Sequence, residues 1–324
     1  MIHTEALTRS FRVGKETIEA VRGVDLDVAA GELVALLGPN GAGKSTTLRM
    51  LTSLLPPTSG TARVAGVDVT TRPAEVRRRI GYIGQKDGAG HNYRVWDELV
   101  MQGRFYGMSK ADAVASGDRL LATLDLSNLR MRKVSSLSGG QKRRLDIALG
   151  LIHEPTLLFL DEPSTGMDPQ NRANLWEHIM RLRAERGTTI VLTTHYLDEA
   201  DAMAERVVII DHGRVIADGT AAALKREQAG DRLVVVVPPT QVAQARTVLG
   251  AGAAARDTDG VVPPLPGSSG IELSVPVPAA SRALPGALAR LHAAGVAVLA
   301  ASATQPTLDD VFLNLTGRSL REGE

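Results

Sequence analysis

The 324-residue chain contains no cysteine, which excludes a disulfide framework, thiol catalysis and a cysteine-based metal site, and fits a cytosolic protein. Net charge is nearly absent as well. Thirty-seven Lys and Arg against 36 Asp and Glu leave +1, whereas a dedicated nucleic-acid binder carries a basic patch or stripe. The short runs Arg77-Arg78-Arg79 and Lys142-Arg143-Arg144 read as solvated helix faces. No stretch approaches the roughly eighteen apolar residues of a membrane span, so no direct membrane insertion is expected. Any role at a membrane would come from docking onto another chain. Met1 to Phe11 lacks a basic segment followed by an apolar one, so no signal peptide is expected. What is present, 44% hydrophobic residues with average charge, describes a globular protein with room for two domains.

The most informative stretch is Gly38 to Thr46, GPNGAGKST, with the spacing of a phosphate-binding P-loop. Before it, Leu33 to Leu37 is the continuous apolar run of a strand buried on both faces. After it, Leu48, Leu51 and Leu55 lie at helical spacing, and Pro56-Pro57 closes the helix. Strand, glycine-rich loop and helix together let backbone N–H groups turn inward around a phosphate at a helix N-terminus. Lys44 would reach the β- and γ-phosphates and the Ser45 hydroxyl would ligate Mg²⁺.

Other stretches carry chemistry only in company. Residues 1–32 read as short strands joined by a loop that holds Phe11, an aromatic that either packs or stacks on a base. A basic helix runs into the strand Ile80 to Ile83, which stops at Gln85. Residues 86–137 turn helical, best over Asp97 to Tyr106 and Ala111 to Leu126, as an insertion into an α/β core. Leu137-Ser138-Gly139-Gly140-Gln141 then opens a helix whose apolar face is Leu145, Ala148, Leu149 and Ile152. Ser138 is either a helix cap or part of a second phosphate-binding surface. A buried strand, Thr156 to Leu160, ends in Asp161-Glu162, where α/β sheets bind ligands; the pair forms a turn, or holds Mg²⁺ and accepts a proton from water. A helix over Asn171 to Glu185 and a strand over Thr188 to Thr193 bring His195, structural or functional, to the same edge. Arg206 to Ala217 reads as a hairpin turning at His212-Gly213.

After Gly230 the pattern restarts. Strands are expected over Arg232 to Val237, Ala254 to Val262, Ile271 to Val277 and Val296 to Ala301. Helices are expected over Gln241 to Leu249 and Ala283 to Ala294, with a closing helix from Leu308 to Leu315. Pro263, Pro264, Pro266 and Gly267 mark a loop. The order is that of a small ferredoxin-like α+β domain, without evident chemistry.

Residues 1–228 together resemble the ATP-binding subunit of an ABC transporter. Lys44 and Ser45 match its Walker A motif, Gln85 its Q-loop, Ser138 to Gln141 its signature, Asp161 and Glu162 its Walker B motif and His195 its switch histidine. Gly166-Met167-Asp168 matches the D-loop, with Met where Leu is usual, and Phe11 the aromatic position that stacks on adenine. Within the family the chain is most similar to daunorubicin-resistance-type exporter ATPases. The pointers are Gly103 to Gly107, Arg143 to Asp146, Tyr196 to Asp201 and Leu308 to Leu313. Gln141 and His195 stand where many such exporters carry Met and Gln, and both favour a hydrolytically competent site.

The resemblance implies a P-loop ABC ATPase core with an antiparallel β subdomain and a helical insertion over about 86–137, ending at 228, and a small C-terminal domain over 229–324. It implies ATP and Mg²⁺ as cofactors, bound with contributions from Phe11, Gly38, Asn40, Gly41, Gly43, Lys44, Ser45 and Thr46. Two copies would face each other head to tail, so that Ser138, Gly140 and Gln141 of one complete the site of the other. Glu162 would polarise the attacking water, His195 contact the γ-phosphate, and Asp161 and Gln85 complete the Mg²⁺ environment around Ser45. A separate permease would dock near Gln85 and the insertion, placing the chain peripherally at the cytoplasmic face of the membrane. The competing readings are a permease-free ABC ATPase, an importer ATPase and a lipid or polysaccharide exporter. A single cassette, the short insertion and a mixed α/β C-terminal pattern weigh against the first two.

Overall fold

The computed structural model describes residues 1–86, 88–228, 230–250, 254–257, 270–277 and 279–318. Contacts divide them into two compact units, Met1–Ala221 and the residues from Ala222 onward; the expected division lay a little later, at 228.

The first unit opens with a long hairpin, β1 (Ile2–Val13) and β2 (Glu16–Val28), followed by β3 (Leu33–Leu37) and α1 (Lys44–Leu51). Next come β4 (Ser59–Val64), β5 (Val67–Asp68), α2 (Pro73–Arg79) and β6 (Ile80–Ile83). Phe11 therefore lies within β1, paired with Ile18 of β2, and not in a loop. The expected extension of α1 to Leu55 also fails. Thr52 caps the helix and Ser53 turns to φ +57°, so Leu55 packs on the core from a loop. The insertion follows as α3 (Val95–Phe105) and α4 (Lys110–Thr123), then α5 (Gly139–Leu151), β7 (Leu157–Asp161) and α6 (Pro169–Arg186). The unit ends with β8 (Thr189–Thr194), α7 (Leu197–Met203), β9 (Arg206–Asp211) and β10 (Arg214–Gly219).

These strands form two sheets. One is antiparallel, in the order β2-β1-β4-β5. The other runs β10-β9-β3-β8-β7-β6, parallel from β9 to β6 with β10 antiparallel at the edge. All residues of β3, β7 and β8 are buried, as expected of central parallel strands covered on both faces. The main core lies between the sheets. Ile2, Leu7, Val24 and Leu26 of the hairpin meet Leu48 and Leu51 of α1 and Val34, Leu36 and Phe159 of the parallel sheet.

In the second unit, α8 (Ala221–Gln228) leads into β11 (Asp231–Val237), α9 (Val242–Leu249), β12 (Ala254–Asp257) and β13 (Ile271–Val277). After these come α10 (Ala280–Ala293), β14 (Ala300–Thr304) and α11 (Leu308–Thr316). The sheet order is β12-β13-β11-β14, every pair antiparallel. Alternate residues Leu233, Val235 and Val237 meet Ala245 of α9 and Ala287 and Leu291 of α10. The last strand starts at Ala300 and not at Val296, because Val296 is buried against this core just after α10. The expected continuation of β12 through 258–262, and the loop at Pro263, Pro264, Pro266 and Gly267, lie outside the described residues.

Candidate functional site

Parallel pairing of β3, β8 and β7 brings three C-terminal strand ends to one edge, the position where open α/β sheets bind ligands. Thr193 of β8 pairs with Leu36 on one side and with Asp161 on the other. The loop after β3, the carboxylates after β7 and the histidine after β8 are thus neighbours by register.

Two glycines let the loop after β3 turn where it does. A Cβ on Gly38 would lie 2.1 Å from the Ile210 carbonyl oxygen, and Gly43, at φ +104°, would place one 2.5 Å from that of Ala20. Only glycine fits such approaches. Asn40 and Gly41 are exposed at the loop's crest, while Ser45 and Thr46 are half-buried in the first turn of α1. Lys44 is 4% exposed, and its ammonium donates to the carbonyl oxygens of Gly38 at 2.6 Å and Pro39 at 2.9 Å. It also lies 3.9 Å from Glu162 Oε1. Burial lowers its pKa, and the charges of Glu162 and Asp161 oppose that shift.

Asp161, fully buried, accepts hydrogen bonds from Ser45 Oγ at 2.7 Å and Thr193 Oγ1 at 2.8 Å, both at Oδ1. Tyr82 reaches its other oxygen at 3.5 Å, and burial followed by this carboxylate raises the tyrosine's pKa. Gln85, exposed, approaches Ser45 Oγ to 3.4 Å through Nε2. The Ser45 hydroxyl and Asp161 carboxylate, with the Gln85 amide oxygen once its side chain turns, would give the oxygen donor set Mg²⁺ takes from proteins, few in number with the rest left to water and phosphate.

Glu162 sits in the left-handed region, at φ +47°, a strain of about 1 kcal/mol or more for a non-glycine residue. Its N–H donates to Thr193 Oγ1 at 3.0 Å, and its Oε2 accepts from Thr165 at 3.3 Å. Its Oε1 lies 3.5 Å from His195 Nδ1. Strand register, Thr193 and the left-handed turn thus aim the second carboxylate at the space between Lys44 and His195.

The other sequence-predicted residues lie elsewhere. Ser138 is the N-cap of α5, in a reciprocal box with Gln141: the Ser138 N–H donates to Gln141 Oε1 at 3.0 Å and the Gln141 N–H to Ser138 Oγ at 3.3 Å. A Cβ on Gly140 would meet Asn171 Oδ1 at 2.9 Å, which is how closely α5 approaches the start of α6. Among the described residues, Ser138, Gly140 and Gln141 make no hydrogen bond to the loop at 38–46. Phe11 lies half-buried on β1 with the Arg9 guanidinium 4.8 Å from its ring centre.

Two contributors escaped the sequence reading. Thr193, read only as strand, holds both Asp161 and the Glu162 backbone; a hydroxyl beside the carboxylate strand end was the available signal. Arg143, read as part of a solvated face, is 8% exposed, with its guanidinium turned inward.

The family model described as ABC transporter matches residues 21–165. A daunorubicin resistance ATP-binding protein of Streptomyces coeruleorubidus is 42% identical over 307 residues, covering 94% of each chain. A Nod factor export ATP-binding protein I of Burkholderia lata is 39% identical over 304 residues, 93% of each chain. Among solved structures, a dimeric ATP-binding cassette in a post-hydrolysis state with ADP and Pi matches with a TM-score of 0.63 and 26% identity. It covers 68% of this chain and 98% of that one.

Proposed function

The chain belongs to the ATP-binding proteins of ABC transporters and is an ATPase, and from that premise we propose that it powers export of a hydrophobic drug or antibiotic through a separate membrane permease. The observation that carries the catalytic part is the meeting of Lys44, Ser45, Asp161, Glu162 and His195 at one sheet edge. The relative named for daunorubicin resistance supports the cargo class. The relative named for Nod factor export supports a second reading, in which the cargo is another exported molecule such as a lipid or polysaccharide.

In this reading the glycine-rich loop presents its N–H groups to the phosphates of ATP and Lys44 offsets their charge. Asn40, Gly41 and Thr46 complete the cradle, and Phe11 stacks on adenine. Ser45, Asp161 and Gln85 would hold Mg²⁺, which would offset negative charge on the β- and γ-phosphates. Glu162 takes a proton from the attacking water, and His195, at its side, contacts the γ-phosphate. Ser138, Gly140 and Gln141 act on the nucleotide of a second copy in a head-to-tail dimer. The dimeric cassette among the structural relatives supports that arrangement.

The assigned domain limits are 1–228 for the ATP-binding part and 229–324 for the rest. Strand order β12-β13-β11-β14 with α9 and α10 between strands supports a ferredoxin-like assignment for the second unit. No helix among the described residues is long and apolar enough to cross a membrane, so attachment at the cytoplasmic face rests on the permease. The test is purification from native membranes. We expect a multi-span permease to accompany the chain; fractionation free of membranes in the presence of that permease would overturn the proposal.

A further inference from the structure

Helix α5 begins at the signature stretch, and just over one turn later it sends Arg143 into the protein. The Arg143 guanidinium donates from Nε to the Pro163 carbonyl oxygen and from Nη1 to that of Gly84, each at 2.7 Å. Pro163 directly follows Glu162, and Gly84 directly precedes Gln85. One turn further, Asp146, 5% exposed, accepts the Gly88 N–H at 2.9 Å and lies 3.9 Å from Arg143. The loop carrying Gln85 is therefore fastened at both ends to α5, and the loop carrying Glu162 is fastened to the same side chain.

A buried guanidinium is costly unless its donors are paired. Two carbonyl acceptors on separate loops suit the planar, fixed fork of arginine; a lysine ammonium, as a point donor, cannot span both in the same geometry. Resting on the ATPase reading above, we propose that Arg143, seconded by Asp146, is a positioning residue. It sets Gln85 and Glu162 together and ties both to the helix that carries Ser138 and Gly140. Movement of the signature end of α5 is thereby transmitted to the water-activating carboxylate and to the Mg²⁺-side amide through one side chain.

The test compares Arg143→Lys with the wild-type full chain in ATP turnover, over a Mg²⁺ titration, alongside nucleotide binding and the melting temperature. We expect kcat per folded molecule to fall about tenfold or more, nucleotide affinity to stay within about twofold, and half-maximal activity to need more Mg²⁺. Unchanged kcat and Mg²⁺ dependence per folded molecule, with or without a lower melting temperature, would leave Arg143 merely structural and overturn the inference. If Arg143→Lys fails to fold, Gly88→Pro removes the donor to Asp146 on an exposed loop residue. It should show the same split of kcat from affinity, and normal turnover there would also overturn the inference. Wild-type turnover that Lys44→Ala abolishes tests the underlying reading separately, since its absence would bring down the ATPase assignment itself.

Discussion

The chain has two stretches suited to an anion, and they are built differently. Around Gly38 to Thr46 the loop is anchored inward, with only Asn40 and Gly41 exposed at its crest. The loop is closed by glycine-only contacts, and its lysine is buried between two backbone carbonyls and Glu162. Two carboxylates stand beside it at the ends of the same sheet. Around Ser138 to Gln141 the side chains are exposed or half-exposed, and Ser138 and Gln141 satisfy one another. The first surface has acid, base and cation within one chain, whereas the second has only a capped helix end. That contrast fits the proposed dimer, in which a second copy supplies the counterpart.

The comparison can be broken at several points, with effects of decreasing size. Glu162→Gln removes the base while keeping shape, so turnover should fall about 10²- to 10⁴-fold with ATP binding retained. Near-normal steady-state hydrolysis would remove Glu162 from that role. Lys44→Ala deletes charge-assisted contacts to phosphate, each worth about 1.5–3 kcal/mol, so calorimetry should show ATP binding weakened at least tenfold. An unchanged affinity would mean the loop does not hold the phosphates. Thr193→Val strips the buried Asp161 of one donor and the Glu162 N–H of one acceptor; it should destabilise by about 1–3 kcal/mol in denaturant titration. Ser138→Ala, on the outward-facing stretch, removes only a cap and should cost about 1 kcal/mol. If it destabilised more than Thr193→Val, the inward–outward contrast would be wrong.

A pH effect completes the series behind the signature helix. His178 of α6 is 2% exposed; its Nδ1 faces the Thr123 carbonyl at 3.0 Å and its Nε2 faces Arg144 at 3.3 Å. Burial, then the Arg144 charge, lowers its pKa from 6.5, with Asp125 opposing and Arg181 adding to the fall. The unfolded state therefore takes up the proton first. The stability from neutral His178 is complete above pH 6.5 and lost as pH falls through the folded value, at no more than about 1.4 kcal/mol per pH unit. His178→Gln should flatten the acid limb of a melting-temperature profile, and an identical limb in the variant would count against the assignment.

Much of this was readable from residue order because it rests on local chemistry. Short apolar stretches mark the central strands, Leu33–Leu37 before Gly38 and Lys44, residues 157–160 before Asp161 and residues 190–192 before His195. Helix α6, expected over Asn171 to Glu185, runs from Pro169 to Arg186, capped by Asp168 and closed by left-handed Gly187. What was not readable depends on contacts distant in sequence. Phe11 lies in a strand because β1 extends to pair with a thirteen-residue β2, a length no local turn signal limits. Val296 looked like strand because it is apolar, yet its burial follows α10. Arg143 sits in a basic triplet whose neighbours are half-exposed, and nothing in Lys142-Arg143-Arg144 tells which of the three turns inward. The carbonyls of Gly84 and Pro163 decide it, and they are 59 and 20 residues away.

The shared-site claim is met most directly by sizing Glu162→Gln and the double variant Glu162→Gln/Ser138→Arg in solution, each with and without Mg²⁺-ATP. We expect the single variant to become dimeric only with ATP. The double variant should bind ATP within about twofold of the single one and remain monomeric. An ATP-dependent dimer that persists with arginine at 138 would contradict a site completed by the signature of a second copy, while leaving the loop from Gly38 to Thr46 as a nucleotide site within one chain.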